Sequence, residues 1–310
     1  MTKIKVIVSG ACGKMGQEAV KAISREENLE LSGAVDVSNT GKDIGQMVLG
    51  EPMGIKIGDN LEAAIRECSP DVMVNFTVPS AVKEQIHTSM QMGVTPVVGT
   101  TGLTEPDLNE IDRWVQHYRT GIIIAPNFAL GAVMMMQFAR LAARYFGDAE
   151  IIEMHHENKV DAPSGTAIKT AEMIQQGRSE NLETEGSGAK EGAESGSGAE
   201  SGARPESESE PGKGAGSGAG MGIAKAKRPK EVEKISGSRG GEANGVHLHS
   251  VRMPGKVAHQ EVIFGGPGQT LTIRHDSLDR SSFMPGLIMA INKTPGLQKL
   301  IYGIENLLDF

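Results

Sequence analysis

The sequence predicts an α/β protein: a Rossmann-like, doubly wound parallel sheet followed by a second α+β domain with a mixed or antiparallel sheet. Short apolar strands alternate with helical segments from residue 4 to about residue 125. A glycine-rich turn follows the first strand, and several strands joined by turns follow one another after residue 245. Alternation specifies parallel strands with crossover helices, whereas consecutive strands indicate antiparallel pairing.

Length and composition exclude several classes of protein. At 310 residues the chain has room for two ordinary domains, and its net charge of −8 argues against nucleic acid or an anionic membrane as partner. Its two cysteines, Cys12 and Cys68, lack disulfide or metal-ligand spacing, which indicates a reducing compartment. Because no apolar run reaches the length of a membrane span or of a signal-peptide core, we expect a cytoplasmic protein.

The first domain, residues 1–129, opens with a β-branched strand at 4–8, a glycine turn at 10–16 and a helix at about 15–25. Such a turn lets the backbone approach a pyrophosphate, which rests at the helix N-terminus. Because many tight turns look similar, the glycines alone are weak evidence of a dinucleotide site. The residues expected to hold the cofactor are Gly10, Ala11, Cys12, Gly13, Lys14 and Met15.

A second strand at 31–35 ends in Asp36, which strengthens the dinucleotide interpretation. An acid at this distance from the glycines accepts hydrogen bonds from the ribose hydroxyls of adenosine and disfavours a 2′-phosphate. The next residue is Val37 rather than arginine, so NADH is favoured over NADPH. The alternative for Asp36 is a turn-forming aspartate before the loop at 38–41.

Helices at 61–67, 81–92 and 106–116 alternate with strands at 71–77, 94–98 and 121–125. In doubly wound sheets, ligands bind at the carboxyl ends of the strands. Taken singly, each strand end here could be an ordinary turn. Together they predict the wall beside the nicotinamide, formed by Phe76 and Thr77 with Gly99, Thr100, Thr101, Ala125, Pro126, Asn127 and Phe128.

The second domain, residues 130–283, begins with an apolar helix at 130–146 and a strand at 149–152. The stretch Glu153–Thr166 follows and combines His155, His156 and Lys159 with the start of a helix at 167–176. Cationic side chains beside the free N–H groups of a helix start suit a substrate with carboxylates. Adjacent histidines are also found by accident at strand ends. A metal site is disfavoured because Lys159 would repel a cation and no second ligand cluster accompanies the histidines.

Residues 177–240 are predicted to be a disordered insertion rich in Gly, Ser and Glu, because its low-complexity part lacks apolar residues other than alanine. It is interpreted as a tolerated surface loop or as a charged tether for a partner. Strands follow at 246–252, 260–264 and 269–275. The C-terminal helices, at 282–292 and 296–309, are expected to dock on the first domain, so that residues 284–310 belong with it.

These motifs resemble the 4-hydroxy-tetrahydrodipicolinate reductase (dihydrodipicolinate reductase) family. The most specific is the string His155-His156-x-x-Lys159-x-Asp161-Ala162-Pro163-Ser164-Gly165-Thr166. The glycine turn, Asp36 and the strand ends at 99–102 and 125–128 also match. Further matches lie at 249–252, 264–268 and 273–277, and only residues 177–240 do not match.

The resemblance implies that NADH or NADPH reduces 4-hydroxy-tetrahydrodipicolinate to tetrahydrodipicolinate by hydride transfer, with loss of water. It implies that His155 and Lys159 supply protons. It implies that His156, Lys159, Gly165 and Thr166 hold the carboxylates of this small cyclic substrate. It further implies a homotetramer assembled through the sheet of the second domain.

Two other functions stay open on the residues. A different two-domain nicotinamide dehydrogenase would share the first domain, but it needs no string such as that at 155–166. A catalytically silent NAD-binding regulator could use the insertion to hold a partner, but it needs no proton donor at His155 or Lys159.

Overall fold

The first sheet occupies the N-terminal half of the chain and one C-terminal strand. The computed structural model describes residues 2–187 and 232–308. Within them the strands of this sheet are β1 (Ile4–Ser9), β2 (Leu29–Val35), β3 (Ile57–Gly58), β4 (Val72–Asn75), β5 (Thr95–Val98), β6 (Ile122–Ile124) and β12 (Leu300–Tyr302). Their order is β12-β6-β5-β4-β1-β2-β3, and every pair is parallel. The doubly wound parallel sheet is therefore confirmed.

Helices connect these strands, and local sequence explains where they begin. They are α1 (Lys14–Ile23), α2 (Ile44–Val48), α3 (Leu61–Cys68), α4 (Pro79–Gln91) and α5 (Glu105–Tyr118). The Asn60 side chain accepts a hydrogen bond from the Ala63 N–H at the start of α3, and Thr104 forms a capping box with Asp107 at the start of α5. Strand β4 is buried throughout, as expected for a sheet covered on both faces.

The second sheet is mixed, as predicted. The second domain contains α6 (Leu130–Ala142), β7 (Asp148–His155), α7 (Gly165–Ser187), β8 (Gly241–Ala243), β9 (Val246–Arg252), β10 (Ala258–Gly266) and β11 (Gln269–Ser277). The strand order in the described part of the chain is β11-β10-β7-β9-β8, with β7 and β9 parallel and the other pairs antiparallel. Helices α6 and α7 pack together over the face that buries Ile151 and Phe264.

The prediction of a last helix at 296–309 was wrong. After a 3₁₀ turn at Arg280–Phe283 and α8 (Met284–Asn292), the chain enters β12, and a 3₁₀ turn at Ile304–Leu307 follows. Strand β12 pairs with β6 and covers what would otherwise be the free edge of the sheet. Helix α8 lies against α1, so the C-terminal segment does dock on the first domain.

The predicted start of the insertion was also wrong. Helix α7 continues through Ser187 instead of ending at 176, so residues 177–187 are helical. Close packing explains the extension, since the Arg178 guanidinium donates to the Gly147 carbonyl and Glu180 pairs with Arg140. Residues 232–240 form turns that lead into β8. Residues 188–231 lie outside the described part of the chain, so their disorder stays a prediction. Among the described helices, none combines the length and the apolar character needed to cross a bilayer.

Candidate active site

The glycine turn between β1 and α1 is held by two backbone approaches that only glycine permits. Gly10 has φ +79°, and a Cβ there would lie 2.4 Å from the Phe76 carbonyl oxygen at the end of β4. A Cβ on Gly16 would lie 2.1 Å from the Gly10 carbonyl oxygen. The ends of β1 and β4 lie side by side at the N-terminus of α1. This close approach of the backbones leaves no space for a side chain at either position.

A cleft of about 490 Å³ opens beside this turn. It is lined by Gly10, Cys12, Gly13 and Asp36 of the predicted cofactor residues, together with Ser9, Val37, Ser38, Asn39, Asp59, Phe76, Thr77 and Gln85. Of the residues predicted in the glycine turn, three do not line it: Ala11 is buried, while Lys14 and Met15 belong to the first turn of α1. The predicted residues at 99–101 and 125–128 do not line it either. The cleft carries acids but, among its described lining residues, no lysine or arginine.

The carboxylate of Asp36 is fixed at the end of β2. Its Oδ2 accepts the Cys12 N–H at 2.9 Å, and its Oδ1 accepts the Ser38 N–H at 2.8 Å. Each oxygen keeps a lone pair for a ribose hydroxyl. The neighbouring Val37 is 92% exposed. Its side chain carries no charge, so this position provides no cation beside Asp36.

The predicted strand ends are joined by a buried network around Asn75. Its Oδ1 accepts the hydroxyl of Thr100 at 2.8 Å and that of Thr77 at 2.9 Å, and its amide donates to Gln85 at 2.7 Å. Phe76 and Phe128 meet edge to face with ring centroids 6.0 Å apart. Gly99 leaves room for this contact, because a Cβ there would lie 2.2 Å from the Phe76 ring. Thr101 is exposed, and Ala125 is buried behind the wall.

A second cleft, of about 180 Å³, lies between the two domains. Pro126 and Asn127, which follow β6, line one side of it. The stretch Glu153–Thr166 contributes His155, Ser164 and Thr166 to the other side. The structure thus brings the central stretch of the sequence to the strand ends of the first domain.

His155 lies at the end of β7 in a network centred on Glu153. The Glu153 side chain is fully buried, and its Oε2 lies 2.5 Å from Nδ1 of His155. Arg252 binds both oxygens of this carboxylate at 2.8 Å. Burial lowers the pKa of His155, and the cationic groups of Lys159 and Arg252 lower it further, while Glu153 acts in the opposite direction.

Three predicted substrate residues do not line the second cleft. His156 is exposed, and Gly165 lies at the exposed start of α7. Nζ of Lys159 contacts the Asp161 carboxylate at 2.7 and 2.9 Å. The loop between His155 and Ser164 therefore presents these groups beside the cleft rather than within it. Within the described residues, no group of three His, Cys, Asp or Glu side chains could hold a metal ion.

Several residues of the second cleft were not predicted from the sequence. They are Ala129, Ala132, Met135, Ala258, His259, Gln260, His275, Ser277 and Phe283. Gln260 is buried and donates to the Thr170 hydroxyl at 2.7 Å, and that hydroxyl donates to the Thr166 carbonyl. For the residues of β10 and β11 the sequence signals are the strand alternation and, for His275 and Ser277, the match at 273–277, and neither indicates which side chains reach the domain boundary.

Comparison with known proteins identifies the family. The model of the N-terminal part of dihydrodipicolinate reductase matches residues 4–128, and that of its C-terminal part matches residues 131–308. The chain belongs to the dihydrodipicolinate reductase family. It is thus an oxidoreductase that depends on a pyridine nucleotide and takes part in lysine biosynthesis, and the resemblance inferred from the sequence is confirmed.

Individual relatives agree with this assignment along the whole chain. 4-Hydroxy-tetrahydrodipicolinate reductase of Desulfitobacterium hafniense is 44% identical over 100% of both chains. The enzyme of Syntrophomonas wolfei is 43% identical over 99% of both. A dipicolinate-bound dihydrodipicolinate reductase from Paenisporosarcina has a TM-score of 0.75 at 39% identity and covers 99% of this chain and 100% of its own. An amine dehydrogenase from Mycobacterium smegmatis, 14% identical with a TM-score of 0.58, shares the fold alone.

Replacing Gly10 with alanine is expected to weaken NADH binding at least about tenfold, because the new Cβ would clash with the Phe76 carbonyl and displace the turn. The Kd can be measured by quenching or transfer of protein fluorescence. Gly54→Ala is the matched control, since Gly54 has a similar φ of +76° but nothing within 4 Å of its Cβ position. Equal Kd values for the two variants would contradict the prediction.

Proposed function

We propose that the first cleft holds the dinucleotide and that the second cleft holds 4-hydroxy-tetrahydrodipicolinate for reduction to tetrahydrodipicolinate. The observation that supports this most directly is the joint lining of the second cleft by Asn127, His155 and Thr166. It means that a molecule in this cleft contacts both the strand ends of the first domain and the cationic stretch. The dipicolinate bound in the Paenisporosarcina relative has the same dicarboxylate chemistry as the proposed substrate.

The residues of the first cleft fit NADH or NADPH. Gly10 and Gly13 line the cleft at the start of α1, where backbone N–H groups favour a pyrophosphate, and Asp36 offers acceptors to the adenosine ribose. Gly99 and the residues at 125–128 form the wall toward the second cleft. The bound nicotinamide supplies the hydride. The protein supplies the cradle, the orientation and the protons.

His155 and Lys159 are the proposed proton donors. Reduction with loss of water requires a proton for the departing oxygen, and negative charge that develops on the ring must be neutralised. In the free protein the pKa of His155 is lowered by burial. A dicarboxylate arriving beside the ring adds negative charge, which favours the protonated imidazole. Substrate binding is therefore expected to raise the protonated fraction of His155.

His156, Gly165 and Thr166 are the proposed carboxylate site, together with Lys159. Gly165 and Thr166 begin α7, where backbone N–H groups lack partners within the helix and the helix dipole favours anions. Gln260 braces this turn through Thr170, so the N–H groups are held in place. His156 and Lys159 lie on the loop that ends there.

Lys159→Ala is expected to lower kcat by about 10²–10⁴-fold, since it removes a general acid. His156→Ala is expected to raise KM more than it lowers kcat, because it removes a contact to a carboxylate. Both parameters come from steady-state oxidation of NADH, with substrate made by the synthase that condenses pyruvate and aspartate semialdehyde. Kinetics unchanged in both variants would contradict these roles.

We propose NADH as the preferred cofactor. The support is the carboxylate of Asp36 at the ribose end of the cleft and the exposed Val37 beside it. The double variant Asp36→Ser with Val37→Arg is expected to raise the NADPH to NADH ratio of kcat/KM at least about tenfold, because it exchanges repulsion for an ion pair with the 2′-phosphate. Val37→Arg alone is the control for added charge. A ratio above one in the unaltered protein would contradict the proposal.

We further propose a cytoplasmic homotetramer. Cys12 and Cys68 are free thiols, in keeping with a reducing compartment. The face of the second sheet opposite α6 and α7 carries the apolar side chains of Ile152, Met154 and Ile263, each only partly buried within the chain. A matching face from other copies would cover them.

Sedimentation equilibrium is expected to give four times the chain mass. The double variant Ile152→Glu with Ile263→Glu is expected to form smaller species, because it places charges on this face. A monomeric unaltered protein at micromolar concentration would refute the proposed tetramer.

A further inference from the structure

Glu153 is a buried acid behind the second cleft, and three other residues bind its carboxylate. Its carboxylate is hydrogen-bonded to Nδ1 of His155 at 2.5 Å. It also accepts hydrogen bonds from two nitrogens of Arg252 at 2.8 Å and from the Ser164 N–H at 3.2 Å. Burying a carboxylate is costly unless such partners compensate for the lost water. The partners come from both ends of the loop that follows His155 and from the neighbouring strand β9.

We propose that Glu153 is the positioning residue that fixes the His155 ring and its protonation for proton transfer, and that Arg252 serves this carboxylate rather than the substrate. The proposal rests on the function proposed above. With Nδ1 of His155 donating to Glu153, the proton to be transferred is carried by Nε2 on the opposite side of the ring. Glu153 itself does not touch the substrate.

The contacts of Arg252 support its assignment to the protein interior. One guanidinium nitrogen donates to Glu153 and to the Val251 carbonyl, and another donates to Glu153 and to the Asp161 carbonyl at 2.7 Å. The guanidinium thus links the carboxylate to the loop that carries Lys159. An arginine engaged in this way stabilises the shape of the site and keeps Glu153 ionised, and the pKa of Glu153 is indeed held below its ordinary value although burial opposes this.

The charges facing His155 determine the sign of the expected effect. Glu153 is the anionic group and favours the imidazolium, whereas Lys159, Arg252 and burial oppose it. From β11, His275 lines the same cleft, and burial lowers its pKa as well. Glu153→Gln removes the anion and leaves the opposing groups. The pKa of His155 must then fall, so the protonated donor is lost at a lower pH.

The test is the dependence of kcat/KM on pH, which reports ionisations of the free enzyme. In Glu153→Gln, the pH above which kcat/KM declines is expected to fall by about one unit or more, with activity at neutral pH reduced at least about tenfold. Glu153→Asp keeps the charge, so its decline is expected at nearly the original pH although kcat is lower. The Kd for NADH, set by the first domain, checks folding and is expected to stay within about twofold in both variants.

Strand β7 offers a matched control. Glu150 is also bound to a histidine, His249 at 2.9 Å, and to Arg239, but it points to the opposite face of the sheet. Glu150→Gln is expected to leave the pH profile unchanged. Two results would overturn the inference and leave Glu153 a structural role only. One is a loss of activity in Glu153→Gln that is the same at all pH values. The other is a decline of kcat/KM that moves to lower pH as far in Glu153→Asp as in Glu153→Gln. Absence of reductase activity in the unaltered protein would instead refute the proposed function.

Discussion

The buried ion pair between Glu153 and Arg252 is the interaction on which the shape of the second cleft depends. Removing one partner of such a pair typically costs about 3–5 kcal/mol, because the other charge is left without compensation. Here the pair also joins two parallel strands, β7 and β9, at their carboxyl ends, where His155 lies opposite Arg252. Its hydrogen bonds to Ser164 N–H and to the Asp161 carbonyl tie the intervening loop to the sheet. One carboxylate therefore sets the geometry of a strand end, a loop and a helix start.

Strand ends of the first domain contribute to both clefts: those of β1, β2 and β4 line the first, and the segment after β6 lines the second. The Asn75 network and the contact between Phe76 and Phe128 hold β4, β5 and the segment after β6 at a common level. Residues on one side of this wall face the first cleft, and Pro126 and Asn127 face the second. The Asn127 side chain also accepts the Ala129 N–H just before α6, so the start of the second domain is anchored to the wall. Hydride transfer needs reacting atoms within a few ångströms, so the proposed assignment of cofactor and substrate to the two clefts depends on this wall.

The sequence was sufficient for the fold class and for the central stretch, because both depend on local patterns. Strand and helix periods are visible residue by residue, and the string from His155 to Thr166 is contiguous. Strand β12 was missed because its three residues pair with β6, which is far away in the sequence. The continuation of α7 beyond residue 176 was missed because Arg178 and Glu180 are held by Gly147 and Arg140, contacts with residues about 30–40 positions earlier that helical propensity does not reveal. Sheet register brings Gln260 to the second cleft and Arg252 to Glu153, and a single sequence does not reveal this register.

The position of Lys159 outside the second cleft is consistent with the role proposed for it. Its partner Asp161 has a side chain that is 62% exposed, and an ion pair in contact with water is worth only about 0–1 kcal/mol. A substrate carboxylate can therefore replace Asp161 at little cost. The Glu153–Arg252 pair is buried and cannot be exchanged in the same way. The two ion pairs thus differ in burial, and this difference supports the proposed roles of His155 as a fixed donor and of Lys159 as a cation that follows the substrate.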